Sequence, residues 1–425
     1  MHYRTHCCGE HKPIKLSKED DDLSRLIEVY LRQLFDDRAV SSENQKKLWE
    51  YYFNELSLAV DAGYKPNPEM YDPALAHSLK YNIAQFSAFK ETSFRKQLEA
   101  ALTKDGKILP WGEFKAVADE LHIEYNRRWL KTEYHHTVAV ANMAEKWQEF
   151  ETDADLYPNL KIVTAGDARV RESHKILDGL TLPVNHSFWK NHTPPFDWGC
   201  RCGIVQTDEE ASEKIPNFKF KKEHENNPYY SGQIFNGNPY ELGLIPGDKK
   251  EAKSKATKYF NNKVLQSDRS EQFKTLSTTK KGKVLEHLLT KKGGDYNDII
   301  KTATEFSKMG KTAELMPEIN EKEKTIRSLI FPNLKSKTSN PDLKVGNLFF
   351  DIKRPKAIKN ILGNANGASK QGAIAVISDS QLDKPLTDKI MQNRAIHIFK
   401  DKNYQFDQVI FLKDGKLIIF NRKGV

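Results

Sequence analysis

The spacing of apolar residues changes twice along this 425-residue chain, and that change constrains the fold more than any other feature. From about Leu23 to Trp147, apolar residues recur every three or four positions, which predicts amphipathic helices. Between about Leu156 and Thr207 the apolar runs become short and β-like, as in LKIVTAG and CGIVQ, with loops rich in Gly, Pro, His and Trp between them. From about Tyr296 onward helical and strand-like runs alternate, which predicts an α/β domain with a mixed sheet.

The fold class expected from this pattern is α+β multidomain. The length also favours several domains, because a single hydrophobic core stops growing well before this size. We expect a flexible N-terminus over residues 1–22, a helical region followed by a compact α+β module over 23–210, and a basic helical connector over 211–290. A C-terminal α/β domain with a mixed sheet is expected over 291–425.

The composition excludes several classes of protein. No apolar run approaches the roughly 20 residues of a membrane span, and no secretory leader is visible, so we expect cytoplasmic synthesis and no membrane span. The four cysteines form two close pairs, Cys7 with Cys8 and Cys200 with Cys202, which favours reduced thiols or metal ligands over a disulfide framework. The first pair belongs to an HCCGEH cluster that could also hold a metal. A net charge of +9 is compatible with binding to phosphate polymers.

The C-terminal region can be divided further into elements. We expect helices in DIIKTATEFSKMG and AIKNILGNANGASKQ, and strands in TAELMP, VGNLFFDIKRP, GAIAVISD and AIHIFKD. A final hairpin, QVIFLKDGKLIIFNRK, is expected to turn at Asp414 and Gly415, because an Asp-Gly pair tolerates the positive φ angles of a two-residue turn.

A dense group of polar and special residues lies between positions 166 and 205. Ordering so many of them is costly unless they form a local network. The group resembles the phage Mu F-like head morphogenesis family, whose signature is an Asp and Arg start, a His before Leu-Asp-Gly, an aromatic residue before Pro-Pro, and a terminal Cys-Arg-Cys. The similarity extends upstream through the segments around Glu133 and KYNIAQFSAFK, so it covers roughly residues 20–210. The matching residues are Asp167, Arg169, Arg171, His174, Asp178, Gly179, Trp189, Pro194, Pro195, Cys200, Arg201 and Cys202.

The resemblance implies a minor capsid protein that is present in few copies and helps the head to assemble. Its expected partners are phage portal and capsid proteins and the packaged DNA. Its expected location is the virion, in the head interior or near the portal.

Four soft ligands for a structural zinc ion could come from this module. His174, Cys200 and Cys202, with either His186 or His192, have the donor types of a tetrahedral zinc site. The alternative is a hydrogen-bonded loop in which the thiols stay reduced and partly buried. A third possibility is an enzymatic site with His174 as the base.

A second group of residues, in the C-terminal region, has the chemistry of a nuclease. Asp342 lies nine residues before Asp351, and a short hairpin between them could bring the two together. Asp351 and Lys353 are two positions apart and therefore project from one face of a strand. Two carboxylates beside a lysine can hold a divalent cation that polarises a phosphodiester. The preceding helix offers a further acid, for which Glu305 is preferred to Asp298.

Downstream of that strand, Lys370 and Gln371 end a helix and could meet the phosphate. The order of these elements is similar to the PD-(D/E)xK nucleases, and in particular to the tRNA-nuclease domain of contact-dependent growth inhibition (CdiA) toxins, over about the last 130 residues. This resemblance implies a toxin that cleaves tRNA, with DNA as the other possible substrate. The carboxylates would hold Mg²⁺ or Zn²⁺, and a small acidic immunity protein would be an expected partner if the tail is toxic. The alternatives are a non-catalytic tail that binds nucleic acid or capsid and a metal-independent ribonuclease of the barnase or RelE-like class.

Overall fold

The computed structural model describes residues 19–66 and 70–424. The HCCGEH cluster and most of the segment 1–22, expected to be flexible, lie outside the described residues. The chain divides into two compact units, Met1–Phe260 and Asn261–Val425, and each is described below by itself. No described helix has the length and apolar character needed to cross a membrane.

Long helices dominate the first part of unit 1. Their starts follow ordinary capping chemistry: Ser41 Oγ accepts a hydrogen bond from Asn44 N, and Asp72 Oδ1 accepts one from Ala74 N beside Pro73. A wider π-helical turn over Ile123–Trp129 continues α4 into α5. The helices are α1 Glu19–Asp37, α2 Ser42–Gly63, α3 Pro73–Ala101, α4 Trp111–His122 and α5 Leu130–Thr152, with the short hairpin β1 Thr103–Lys104 and β2 Lys107–Ile108 before α4.

A small antiparallel sheet follows the helices, with the strand order β4-β3-β5. It comprises β3 Asn159–Val163, β4 Thr181–Pro183 and β5 Gly203–Thr207, and the four-residue helix α6 Glu172–Lys175 lies between β3 and β4. One face of the sheet packs against the end of α5 in a core that includes Trp147, Leu160 and Trp189. The long loops of this module are therefore attached to an apolar core.

Residues 211–260 also pack within unit 1, and residues 261–290 belong to unit 2. The segment 211–260 has few regular elements, α7 Pro228–Ser231 and the start of α8 Pro246–Val264, yet Phe220, Phe235 and Tyr240 are buried. Asn82 Oδ1 accepts hydrogen bonds from the backbone N–H groups of residues 234 and 235. The segment expected to be a connector is thus divided between the units, because its scattered aromatic residues have apolar surface to bury.

Unit 2 is built on an eight-stranded mixed sheet with the order β13-β12-β11-β10-β9-β8-β7-β6. The β7–β8, β10–β11 and β11–β12 pairs are parallel and the others antiparallel. The strands are β6 Phe273–Thr278, β7 Lys283–His287, β8 Thr312–Leu315, β9 Leu343–Val345, β10 Leu348–Lys353, β11 Ile374–Ser378, β12 Gln408–Lys413 and β13 Lys416–Asn421. The helices are α9 Arg269–Gln272, α10 Tyr296–Lys308, α11 Lys324–Ile330, α12 Ile361–Lys370 and α13 Asp388–Lys400.

Helices cover both faces of this sheet. α10 packs on one face, where Ile299 and Phe306 meet Phe350 and Ile352 of β10. α12 and α13 pack on the opposite face of β11 and β12. The mixed α and β content of the chain confirms the α+β multidomain fold class.

One expected strand is wrong and one expected hairpin is confirmed. AIHIFKD is the end of α13, because Met391, Ala395 and Ile398 recur at helical spacing and are all buried. β12 and β13 form the expected hairpin, and Asp414 and Gly415 have φ values of 49° and 76°.

Candidate functional site

Charged side chains of residues 166–205 hold the loops between β3 and β5 in place. Arg201 binds Asp167 through two hydrogen bonds of 2.8 and 2.6 Å, and this pairing holds the pKa of Asp167 well below its usual range. Arg171 Nη2 donates to Trp198 O at 2.8 Å. Asp178 Oδ1 accepts from Thr164 N at 2.8 Å. The polar residues of the segment therefore form the local network that their density predicted.

His174, Cys200 and Cys202 come together at the centre of this network. His174 is 3% exposed, and its Nδ1 lies 3.7 Å from Cys200 Sγ and 3.9 Å from Cys202 Sγ. The three potential ligand atoms all lie within 4.8 Å of one another, and theirs is the only group of three His, Cys, Asp or Glu ligands this tight among the described residues. Hydrogen bonding from Cys202 lowers the pKa of Cys200 to about 6, and the same bond and burial raise the pKa of Cys202.

The two other candidate ligands of this module have backbone partners. His186 Nδ1 accepts a hydrogen bond from Phe188 N at 3.1 Å at the start of a 3₁₀ turn. His192 Nδ1 lies 3.0 Å from Phe188 O, and its ring stacks on the Phe188 ring. Neither imidazole belongs to the group of His174, Cys200 and Cys202.

A buried ion pair joins α3, α5 and the segment before α8. Lys90 Nζ is 0% exposed and lies 2.8 and 3.0 Å from the two carboxylate oxygens of Glu133. It also lies 2.9 Å from Tyr240 Oη, which donates a hydrogen bond to Glu133. Burial lowers the pKa of Lys90 and raises that of Tyr240. Nothing in the sequence pattern indicated this pair, because its members are 43 positions apart in amphipathic helices.

Another buried histidine, His136, lies beside a cavity of about 440 Å³ in unit 1. His136 stacks on Phe235 and contacts the rings of Trp198 and His224. His224 Nε2 in turn lies 3.2 Å from Asp197 Oδ1. Burial, with a smaller contribution from His224, lowers the pKa of His136 to about 3.

The low pKa of His136 predicts acid sensitivity of unit 1. This pKa lies below the value of about 6.5 that His136 has in the unfolded chain. The free energy of unfolding is therefore unaffected by His136 above pH 6.5 and decreases as pH falls toward 3, because the unfolded chain binds a proton that the folded chain does not. Between pH 7 and pH 5 the free energy of unfolding of wild type should fall by about 2 kcal/mol more than that of His136→Phe. Urea unfolding followed by tryptophan fluorescence measures this difference. The exposed neighbour provides the control, His135→Phe, and equal pH dependence in the two variants would contradict the prediction.

In unit 2, the two aspartates of the predicted nuclease site lie opposite each other. β10 pairs with β9 as far as Phe350 and Leu343, and the backbone N–H of Asp342 then donates to Phe350 O at 3.1 Å, which puts Asp342 beside Asp351. Asp342 Oδ2 accepts a hydrogen bond from Ile352 N at 2.7 Å. Both aspartates lie toward the carboxyl end of β10, the edge at which open α/β sheets usually bind ligands.

The electrostatics of this pair favour a proton on Asp342. Asp351 is 4% exposed, and its Oδ2 lies 2.6 Å from Lys353 Nζ. Burial and the neighbouring Asp351 carboxylate raise the pKa of Asp342 to about 8, with a smaller contribution from Asp295. Two buried carboxylates beside one lysine carry excess negative charge when both are ionised, and a divalent cation would neutralise it.

Asp295 was not singled out from the sequence. It is the first residue before α10, and its side chain makes no capping hydrogen bond to the helix. The signal was present in GGDYND, where a carboxylate follows two glycines immediately before a helix and after a strand.

The other predicted nuclease residues lie elsewhere. Glu305 is ten residues beyond Asp295 in α10, about 15 Å along the helix, and forms an ion pair with Lys308. Lys370 and Gln371 end α12, which runs antiparallel to β10, so they lie toward the opposite end of the sheet from Lys353. The structure thus brings Asp342, Asp351 and Lys353 together. Glu305, Lys370 and Gln371 lie away from them.

The excess positive charge of the chain is concentrated in unit 2. Residues 261–425 contain 31 lysines and arginines against 18 aspartates and glutamates, whereas residues 1–260 contain 36 against 40. At the sheet edge, Arg354 follows Lys353 and donates to Gly294 O at 2.6 Å. The acidic pair therefore lies in a strongly basic unit.

A CdiA-CT/CdiI toxin and immunity complex from Burkholderia pseudomallei is among the solved structures similar to this chain. The sequence identity is 17%, the match covers 30% of this chain and 84% of that chain, and the TM-score is 0.22. A likeness this distant carries no argument about fold or function.

The comparisons of sequence concern unit 1. Residues 90–205 match the family described as Phage Mu protein F like protein. A capsid assembly protein F of Escherichia phage Mu is 27% identical over 30% of this chain and 34% of its own length. A Mu-like prophage FluMu F protein of Haemophilus influenzae is 30% identical over 28% of each chain. This chain thus spans about a third of the length of these relatives. Residues 90–205, which include α4, α5 and the Cys-Arg-Cys sequence, are thus similar to this family, and we call them the Phage Mu F-like region.

Proposed function

We propose that this chain is a phage head assembly protein that carries a metal-dependent nuclease in its second unit. The head role is supported by the Phage Mu F-like region over residues 90–205 and by a relative named for capsid assembly. The proposed partners are portal and capsid proteins and packaged DNA. The proposed location is the virion, inside the head or near the portal.

The head role is tested by asking whether the protein enters particles. Virions purified from an induced lysogen are expected to contain the chain at a few copies per head, measured by quantitative mass spectrometry. Deleting the gene should reduce the yield of filled heads. Particles that form normally and never contain the protein would contradict the proposal.

The nuclease is supported by the closeness of the Asp342 and Asp351 carboxyl groups at the carboxyl edge of the sheet. In this proposal the two carboxylates hold a divalent cation, Mg²⁺ or Zn²⁺, which would activate water and neutralise charge on the phosphate. Lys353 orients Asp351 and stabilises negative charge on the phosphodiester. The basic surface of unit 2 attracts the nucleic acid backbone, and tRNA is the proposed substrate.

Metal dependence is the direct test of this nuclease. The purified full-length chain is expected to cleave total tRNA or plasmid DNA with Mg²⁺ or Zn²⁺, and EDTA should abolish cleavage. Cleavage of RNA alone would establish the substrate class. Binding without cleavage under every metal would support the alternative, a nucleic-acid-binding tail.

An immunity protein is the further expected partner if unit 2 is toxic. Inhibitors of basic active sites are commonly acidic, because complementary charge speeds association. A small acidic protein encoded beside this chain should therefore relieve toxicity when both are expressed. Toxicity that no neighbouring gene relieves would count against such a partner.

A further inference from the structure

We propose that His174, Cys200 and Cys202 bind one Zn²⁺ ion that cross-links the loops of the Phage Mu F-like region. The proposal is independent of the nuclease, since the three residues lie in unit 1. The site offers three protein ligands, and water would complete the four-coordinate geometry.

The distances fit a tetrahedral ion. Zinc binds sulfur at about 2.3 Å and imidazole nitrogen at about 2.0–2.1 Å, which places tetrahedral S and N ligands about 3.6 Å apart. His174 Nδ1 lies 3.7 and 3.9 Å from the sulfurs of Cys200 and Cys202. A contraction of a few tenths of an ångström would bring the nitrogen to these separations from both sulfurs, and the two sulfurs lie within 4.8 Å of each other.

The donor types favour zinc over the hard cations. Two thiolates and an imidazole are soft ligands, whereas Mg²⁺ and Ca²⁺ prefer oxygen. One imidazole Nδ1 facing two sulfurs is poorly explained by hydrogen bonding alone. A neutral imidazole offers a single donor or acceptor at that atom, so it can satisfy only one of the two sulfurs at a time.

The location explains what the ion would stabilise. His174 lies in the four-residue helix α6, and Cys200 and Cys202 come just before β5. Between them lie residues 176–199, which contain only the three-residue strand β4 and one 3₁₀ turn. A bond through the ion would join residues 26 positions apart, and closing a loop removes conformational entropy from the unfolded chain.

The surroundings protect the site and hold it in place. Both cysteines pack against the core of Trp147, Trp189 and Phe196, and His174 contacts the Phe196 ring. The Arg201 side chain between the two cysteines points away to Asp167. Hydrophobic cover of this kind limits the exchange of a bound ion with solvent.

The test uses the full chain with Cys7→Ser and Cys8→Ser, so that Cys200 and Cys202 are its only thiols. After purification with zinc and dialysis against metal-free buffer, elemental analysis should find about one zinc per chain more in this parent than in its His174→Ala variant. His174→Ala and Cys202→Ser should lose the zinc, and the control His135→Ala, on an exposed position of α5, should keep it. Zinc at the same level in the His174→Ala variant as in its parent would overturn the proposal.

Two further readouts hold even where a variant fails to fold. Cobalt substitution of the parent chain should give a thiolate charge-transfer band and the intense visible spectrum of a tetrahedral ion. The thiols should react slowly with a disulfide reagent until a chelator is added, and the chelator should lower the melting temperature of unit 1 by about 5 °C or more. Fast thiol reaction with no effect of the chelator, or a Cys200–Cys202 disulfide, would overturn the proposal.

Discussion

Asp351→Asn is expected to reduce nucleic acid cleavage by about 10³-fold, equivalent to about 4 kcal/mol of transition-state stabilisation. The substitution keeps the size of the side chain and removes the charge that would bind the cation. It relieves the repulsion with Asp342 and removes the ion-pair partner of Lys353, whose side chain is 21% exposed, so unit 2 should still fold. Initial rates on labelled tRNA or DNA at saturating metal, with the full chain, measure the loss.

Asp388→Asn is the matched control for this experiment. Asp388 belongs to the same unit, its side chain is 91% exposed, and it lies on α13 rather than at the Asp342–Asp351 pair. It should cleave at the wild-type rate. Equal activity of the Asp351→Asn chain and wild type would remove the proposed catalytic pair, and any cleavage observed would then come from another site.

Lys90→Met is expected to lower the free energy of unfolding of unit 1 by about 3–5 kcal/mol, because it leaves the Glu133 carboxylate buried without its cation. The double variant Lys90→Met/Glu133→Leu should recover a large part of this loss, since it removes both charges together. Urea unfolding followed by tryptophan fluorescence is selective for this unit: all six tryptophans lie in residues 1–260.

Lys96→Met is the control on the same helix. Its side chain is 37% exposed and forms surface ion pairs with Glu99 and Asp248, so the expected cost is at most about 1 kcal/mol. If Lys90→Met lowered the free energy of unfolding by no more than Lys96→Met, water or a rearranged partner would have to compensate the charge of Glu133. No recovery in the double variant would show that packing, and not charge, sets the effect.

The patterns that could be interpreted from the sequence were local ones. The hairpin at Asp414 and Gly415 was predictable because its turn requires residues that accept positive φ. α10 was predictable from helical spacing, whereas AIHIFKD was misassigned as a strand. A short apolar run fits either period, and only the more distant Met391 shows that the spacing is helical.

The candidate sites divide in the same way. Asp342, Asp351 and Lys353 could be grouped because the hairpin that joins them is only a few residues long, and His174 could be grouped with Cys200 and Cys202 by ligand type. Asp295 was missed because no local pattern links it to a strand pair about 50 positions later.

The sequence by itself determined the order of helical and strand-rich regions, the tight turns and the residue types available for metal or phosphate chemistry. These properties depend on backbone preferences and on side-chain periods that act over a few residues. Only the tertiary structure decided that Lys90 pairs with Glu133 and Tyr240, and that residues 211–260 pack within unit 1. Such contacts join residues 40 to 150 positions apart, and which buried charges and aromatic rings meet depends on how whole elements pack together.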